Sequence, residues 1–177
     1  MADATRTTVL YSGRILRLVL QETPLPDGAV RRREIVEHAD GAAVVAVDDT
    51  GQVILVRQRR PAVGRHLLEL PAGLVDPGET PRACAGRELQ EENGLVADRL
   101  EPLASFYTSP GFTTERLHVF AARGLRPGRA GGDPDEQVEV VRLPLADALA
   151  RLQGGEISDA KTIVGLLAYA TRHPERR

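Results

Sequence analysis

Between Gly73 and Leu95 the sequence reads GLVDPGETPRACAGRELQEENGL, and its chemistry lies in Glu79, Glu88, Glu91 and Glu92. Pro77-Gly78 marks a turn, Thr80 is suited to cap a helix, and Pro81 suits the first helical position, where a missing N–H costs nothing. The spacing predicts a helix from near Thr80 to about Asn93, ended by Gly94 in the left-handed conformation. At about 3.6 residues per turn, Glu88, Glu91 and Glu92 project from one side of it. Each like-charged pair so placed loses roughly a few tenths of a kcal/mol. The natural remedy is a hard divalent cation, Mg²⁺ or Mn²⁺, for which carboxylate oxygens are suited ligands. Arg87, adjacent to Glu88 and four residues before Glu91, is placed to hold a carboxylate steady from outside the metal shell. The backbone carbonyl of Ala72, where the preceding strand ends, is a further candidate oxygen ligand. Ala85 and Leu89, on the other flank, are placed to pack on a core. An acidic helix face alone is usually just a solvated surface, so the surrounding pattern must carry the reading.

Composition narrows the possibilities. The 177 residues suit one domain able to bury a substantial core, and no repeat or long linker divides them. A net charge of −2 with 27% charged residues lacks the basic excess of a nucleic-acid surface and points to small ligands. The single cysteine, Cys84, excludes a disulfide framework and is expected to be a small packing residue in a reducing cytoplasm. The polar start MADATRTTVLYSGRI has no signal-sequence pattern, and no apolar run is long enough to span a membrane. Arginine outnumbers lysine 22 to 1, with Lys161 the single exception.

The positioning elements follow from turn signals and alternation. Val9 and Tyr11, then Ile15 to Leu20, then Ala29 to Glu37 read as antiparallel strands joined at Ser12-Gly13 and at Pro24-Leu25-Pro26-Asp27-Gly28. Such a unit is too small to be stable alone and must pack on the main domain or on a second subunit. Its Arg31-Arg32-Arg33 run is a solvated strand end or a contact to phosphate or a base ring. Ala42 to Val47 and Val53 to Arg57 form a hairpin across Asp48-Asp49-Thr50-Gly51. Leu68 and Leu70, alternating with Glu69, read as a half-buried strand feeding the acidic stretch. Strands are expected at Leu100 to Thr108 and Leu117 to Ala122. A long loop is expected at residues 124 to 135, then a strand at Val138 to Leu143. Helices are expected at Leu145 to Leu152 and Ser158 to Arg172, the second burying Ile163, Leu166, Leu167 and Ala170.

Gly73, Glu79, Arg87-Glu88-Leu89, Glu91-Glu92 and Gly94-Leu95 match the signature box of the Nudix hydrolases at all its fixed positions. Arg57-Gln58-x-Arg60-Pro61, Glu69-Leu70-Pro71-Ala72-Gly73 and Ser109-Pro110-Gly111-Phe112-Thr113-x-Glu115 further resemble the ADP-ribose pyrophosphatases of that family. The resemblance runs from about Gly13 to Tyr169. It implies an α+β fold, an α/β/α sandwich whose mixed central sheet is flanked by helices, with a small N-terminal antiparallel sheet. Residues 1–40 would form a dimerisation element and residues 41–177 the hydrolase domain of a cytoplasmic homodimer.

The implied chemistry is metal-dependent hydrolysis of ADP-ribose to AMP and ribose 5-phosphate, without nucleic-acid or membrane partners. Glu88 and Glu92 would be the central ligands of Mg²⁺, Glu91 a third, with Ala72 and Glu136 as additional contacts, while Arg87 and Glu79 brace helix and loop. Glu136 is the first candidate for the general base and Glu115 the second, with ribose binding as its alternative role. Arg60 and Arg32 are candidates for adenine or phosphate contacts, and Phe112 lines the same pocket or packs as a turn residue. Two other readings remain open: a hydrolase of another nucleoside diphosphate sugar, such as an ADP-sugar or GDP-mannose, and a sensor that binds a nucleotide without cleaving it.

Overall fold

The computed structural model describes residues 5–129, 131 and 138–176. Its contacts divide the chain into two compact units, one of residues up to Asp40 with Phe106–Arg116, the other of Gly41–Ser105 with the residues from Leu117 onward.

The first unit is built on β1 (Arg6–Ser12), β2 (Leu16–Pro24) and β3 (Val30–His38), antiparallel in the order β1-β2-β3. Gly28, at φ 83°, takes the left-handed place in the turn from Leu25, a conformation that favours glycine. Val9 stands opposite Val19, and the register shifts between Val9 and Tyr11. The unit also includes the 106–116 segment. Thr113 bridges Val36 in parallel, with Val36 N–H donating to the Phe112 carbonyl at 2.7 Å. Val9, Leu10, Tyr11, Ile15 and Val30 are each at least half exposed, an unusual concentration of uncovered apolar surface for so small a sheet.

The second unit is a mixed sheet with helices on both faces. It contains β4 (Gly41–Val47), β5 (Gln52–Arg60), β6 (Arg65–Glu69), β7 (Ala72–Leu74), β8 (Leu95–Tyr107), β9 (Arg116–Pro127) and β10 (Val138–Pro144). The order is β10-β5-β4-β9-β8, with β6 paired to β5 and β7 to β4. The central strand β4 runs parallel to β9 and antiparallel to β5 and β7, and every one of its residues is buried. Such a strand, covered on both faces, reads as a continuous apolar run rather than an alternation. Ala42, Val44 and Ala46 pack with Cys84, Ala85 and Leu89 of α1 (Pro81–Asn93). Val45 lies instead near Gly165 of α3 (Ala160–Arg172), which follows α2 (Leu145–Gln153). Among the described residues no helix is long and apolar enough to cross a membrane.

Three expectations need correction. The residues that α3 buries are Lys161, Thr162, Gly165, Leu166, Tyr169 and Ala170, while Leu167 is 47% exposed. Gly165 sets this rotation, since a Cβ there would lie 2.5 Å from Leu70 Cδ1 and 3.1 Å from Val45 Cγ2. The loop expected from residue 124 begins later because β9 runs on to Pro127, where Arg126 Nε donates to Asp98 at 2.8 Å. Glu69 is not on a solvent face; it is 1% exposed between its buried neighbours Leu68 and Leu70.

Replacing Gly165 by Ala tests the helix seat. In an open helix the change stabilises, but here the added methyl should destabilise by about 1–3 kcal/mol through overpacking, read from denaturant unfolding.

Candidate active site

Helix α1 presents the acidic flank. Thr80 caps it by accepting from Ala83 N–H at 3.2 Å, Pro81 opens it, and Gly94 closes it at φ 64°. Cys84, Ala85 and Leu89 are fully buried; Glu88, one turn after Cys84, and Glu92, one turn further, lie at the edge of that buried side, with Arg87 and Glu91 next to them.

Arg87 is the hub of that flank. Its Nε and Nη2 donate to the two oxygens of Glu79, each at 3.1 Å, and Nη2 also reaches the Leu74 carbonyl at 3.1 Å. Nη1 donates to Glu88 at 2.6 Å and to Glu91 at 3.0 Å. The hydrogen bonds to Glu79, with the charge of Glu88, raise the arginine's pKa further above its already high value. Reciprocally, Arg87 holds Glu79 below the usual glutamate range.

Glu88 is 8% exposed and leans on the backbone of Gly73, where a Cβ would lie 1.9 Å from its Oε1. The glycine is there for close approach and not for a left-handed turn, since its φ is not positive. Glu92 Oε2 accepts from Ala72 N–H at 3.1 Å. Thus Ala72 adjoins the acidic flank through its amide. Cys84, wholly buried, directs Sγ at the Leu74 carbonyl at 3.2 Å, and burial pushes its pKa up to about 12. A thiol so held stays protonated and inert, as expected of a packing residue.

Among the described residues no three Asp, Glu, His or Cys side chains already converge as a metal cage. Glu88 and Glu91 turn to Arg87, and Glu92 to Ala72. The donor set nevertheless fits a hard divalent cation: three carboxylates share a helix flank, and one sits in a cradle that any side chain at residue 73 would fill.

A second ionic cluster was not legible as functional in the sequence. Arg60 donates from Nε and Nη2 to both oxygens of Glu69, at 2.8 and 2.7 Å, and Lys161 Nζ binds Glu69 Oε2. Burial opposes ionisation of Glu69, yet Arg60 and then Lys161 outweigh it and hold its pKa below the usual range. Arg60, expected to be a substrate contact, is therefore also a partner of a buried carboxylate.

Arg32, Phe112 and Glu115 belong to the first unit. Arg32 pairs across the strands with Glu22 at 2.9 Å and is 70% exposed. Phe112 is 54% exposed in the turn after Ser109. Glu115 accepts from Thr108 Oγ1 at 2.7 Å and faces His38 Nδ1 at 3.6 Å. Glu136 lies outside the described residues.

Comparison with known proteins bears on this arrangement. The sequence pattern described as NUDIX domain matches residues 37–164. A methanol dehydrogenase activator of Bacillus methanolicus is 38% identical over 163 residues, covering 91% of this chain and 88% of that protein. An ADP-ribose pyrophosphatase of Bacillus subtilis (strain 168) is 42% identical over 166 residues, covering 93% and 87%. A crystal structure of an ADP compounds hydrolase superposes with a TM-score of 0.86 over 99% of this chain and 96% of that one. At 23% identity it speaks for the fold alone.

Replacing Gly73 by Ala should expel the Glu88 carboxylate from its cradle while leaving the fold intact by circular dichroism. Binding of Mn²⁺, followed by electron paramagnetic resonance, should weaken by about 10- to 100-fold.

Proposed function

The chain belongs to the Nudix family and is a hydrolase of pyrophosphate bonds, and from this we propose that it cleaves ADP-ribose to AMP and ribose 5-phosphate. The observation that carries the reading is the complete acidic flank of α1, fixed by Arg87 and the Ala72 amide. The similarity to an ADP-ribose pyrophosphatase over nearly the whole chain supplies the substrate.

A diphosphate repels an incoming hydroxide, so its hydrolysis requires cationic groups around the phosphates and a base for the attacking water. Glu88 and Glu92, with Glu91, the Ala72 carbonyl and Glu136, would hold Mg²⁺. When bound, such an ion offsets phosphate charge and acidifies water. The chain's own contribution is to keep carboxylates and cations in register. Arg87 restrains Glu88 and Glu91, the Ala72 amide restrains Glu92, and Glu69 restrains Arg60. Glu136 takes the proton of the attacking water, with Glu115 as the alternative base or the partner of a substrate ribose. Arg60 and Arg32 serve the phosphates or the adenine ring, and Phe112 the ring face.

The protein works as a cytoplasmic homodimer in this reading, with residues 1–40 as the dimerisation element and 41–177 as the hydrolase domain. Its support is the sheet β1-β2-β3: an edge strand, β1, bears exposed Val9, Leu10 and Tyr11, a surface that a second copy would cover. Sedimentation velocity should give twice the chain mass. Substituting Val9 and Tyr11 together by Glu should give single chains.

Purified protein with Mg²⁺ should release AMP from ADP-ribose faster than it cleaves ADP-glucose or GDP-mannose, and EDTA should stop it. Glu92→Gln should lower turnover by about 100-fold or more without loss of folding. A faster rate on another sugar would reassign the substrate, and cleavage of none would favour a nucleotide-binding sensor.

A further inference from the structure

Lys161 is the only lysine in a chain with 22 arginines. It stands at the second position of α3 and is 7% exposed. Both features oppose a cation. The first turn of a helix disfavours positive charge, and burial of an ammonium is unfavourable unless it is paired. Two carboxylates offset this: Asp159 Oδ2, which caps the helix, at 3.1 Å, and Glu69 Oε2. Thr162 fastens the same turn to the strand side, accepting from Leu70 N–H at 2.9 Å and donating to Asp159 at 2.6 Å.

Glu69 in turn gives both oxygens to Arg60. A connected row therefore runs from the buried start of α3 through Lys161 and Glu69 to Arg60, whose side chain is 40% exposed. The hydrogen bonds to Glu69 raise the pKa of that guanidinium above its ordinary value. Arg60 uses two of its five donors on Glu69, leaving others for a second anion. Asp159 and Glu69 together balance Lys161 and Arg60, so the contribution of Lys161 is to hold in place the carboxylate that Arg60 grips with two parallel bonds. A compact ammonium suits the place between two carboxylates, where a guanidinium fork is larger.

We propose that Lys161 is a positioning residue for substrate binding: through Glu69 it fixes the guanidinium of Arg60, which binds the diphosphate of the substrate. The inference rests on the reading of the chain as a hydrolase of ADP-ribose.

The test is a kinetic cycle on ADP-ribose with Lys161→Met, Arg60→Ala and the double variant. Lys161→Met should raise KM about tenfold with kcat within about threefold of the unaltered enzyme, the pattern of lost ground-state binding. Lys161→Arg should recover part of the loss. In the Arg60→Ala background, Lys161→Met should change KM less than about twofold, because the lysine acts through the arginine. An unchanged KM in Lys161→Met, or losses that multiply independently, would overturn the proposal.

Should Lys161→Met fail to fold, the unaltered protein decides. Labelling with ¹⁵N-lysine gives one side-chain ammonium signal. Adding the α,β-methylene analogue of ADP-ribose should move it, and should not move it in Arg60→Ala; a signal indifferent to the analogue in the unaltered protein defeats the inference. Failure of the functional reading is separate, since it appears as absent cleavage of nucleoside diphosphate sugars by the unaltered enzyme.

Discussion

One guanidinium makes the acidic flank of α1 possible. Glu79, Glu88 and Glu91 would repel one another on a bare helix and turn, and Arg87 touches all three with hydrogen bonds of 2.6–3.1 Å. A further bond, to the Leu74 carbonyl, ties the helix to the strand that enters the turn. Loss of this residue would leave three carboxylates without their shared cation and the turn without its anchor.

The same flank depends on the buried turn of the helix before it. Glu88 approaches the Gly73 backbone only because Cys84 and Ala85 are small, wholly buried and packed against Ala42, Val44 and Ala46 of the central strand. Larger residues on either side would lift α1 away from β7 and withdraw the carboxylate from its cradle. A close helix and a glycine under the glutamate are two parts of one constraint, in which core packing sets the position of a charged group.

Much of this was legible in the sequence because it is written in local chemistry. Thr80, Pro81 and Gly94 delimit α1 through capping and backbone preference, and the β4–β5 hairpin follows from its turn residues. The alternation around Glu69 misled, because period-two patterning assigns a charged residue to solvent and cannot see partners arriving from β5 and α3. Likewise the spacing in α3 put Leu167 on the buried stripe and passed over Tyr169; the seat is set by Gly165 against Leu70, Val45 and Val119. The length of β9 was hidden because Gly124 and Pro127 look like loop residues. One legible signal was left unused: a single lysine among 22 arginines marks a place where the two cations are not interchangeable.

Counting donors separates the roles of Arg60 and Arg87. Arg87 makes five bonds to oxygen, as many as a guanidinium has N–H groups. It is saturated, and its position inside the signature stretch makes it a brace for carboxylates. Arg60 makes two such bonds and keeps a partly exposed side chain. Of the two, Arg60 is the one able to meet a phosphate without first abandoning a carboxylate. The signature therefore marks the acidic scaffold, and the arginine with unused donors stands outside it, held by a glutamate that a lysine of another element also binds.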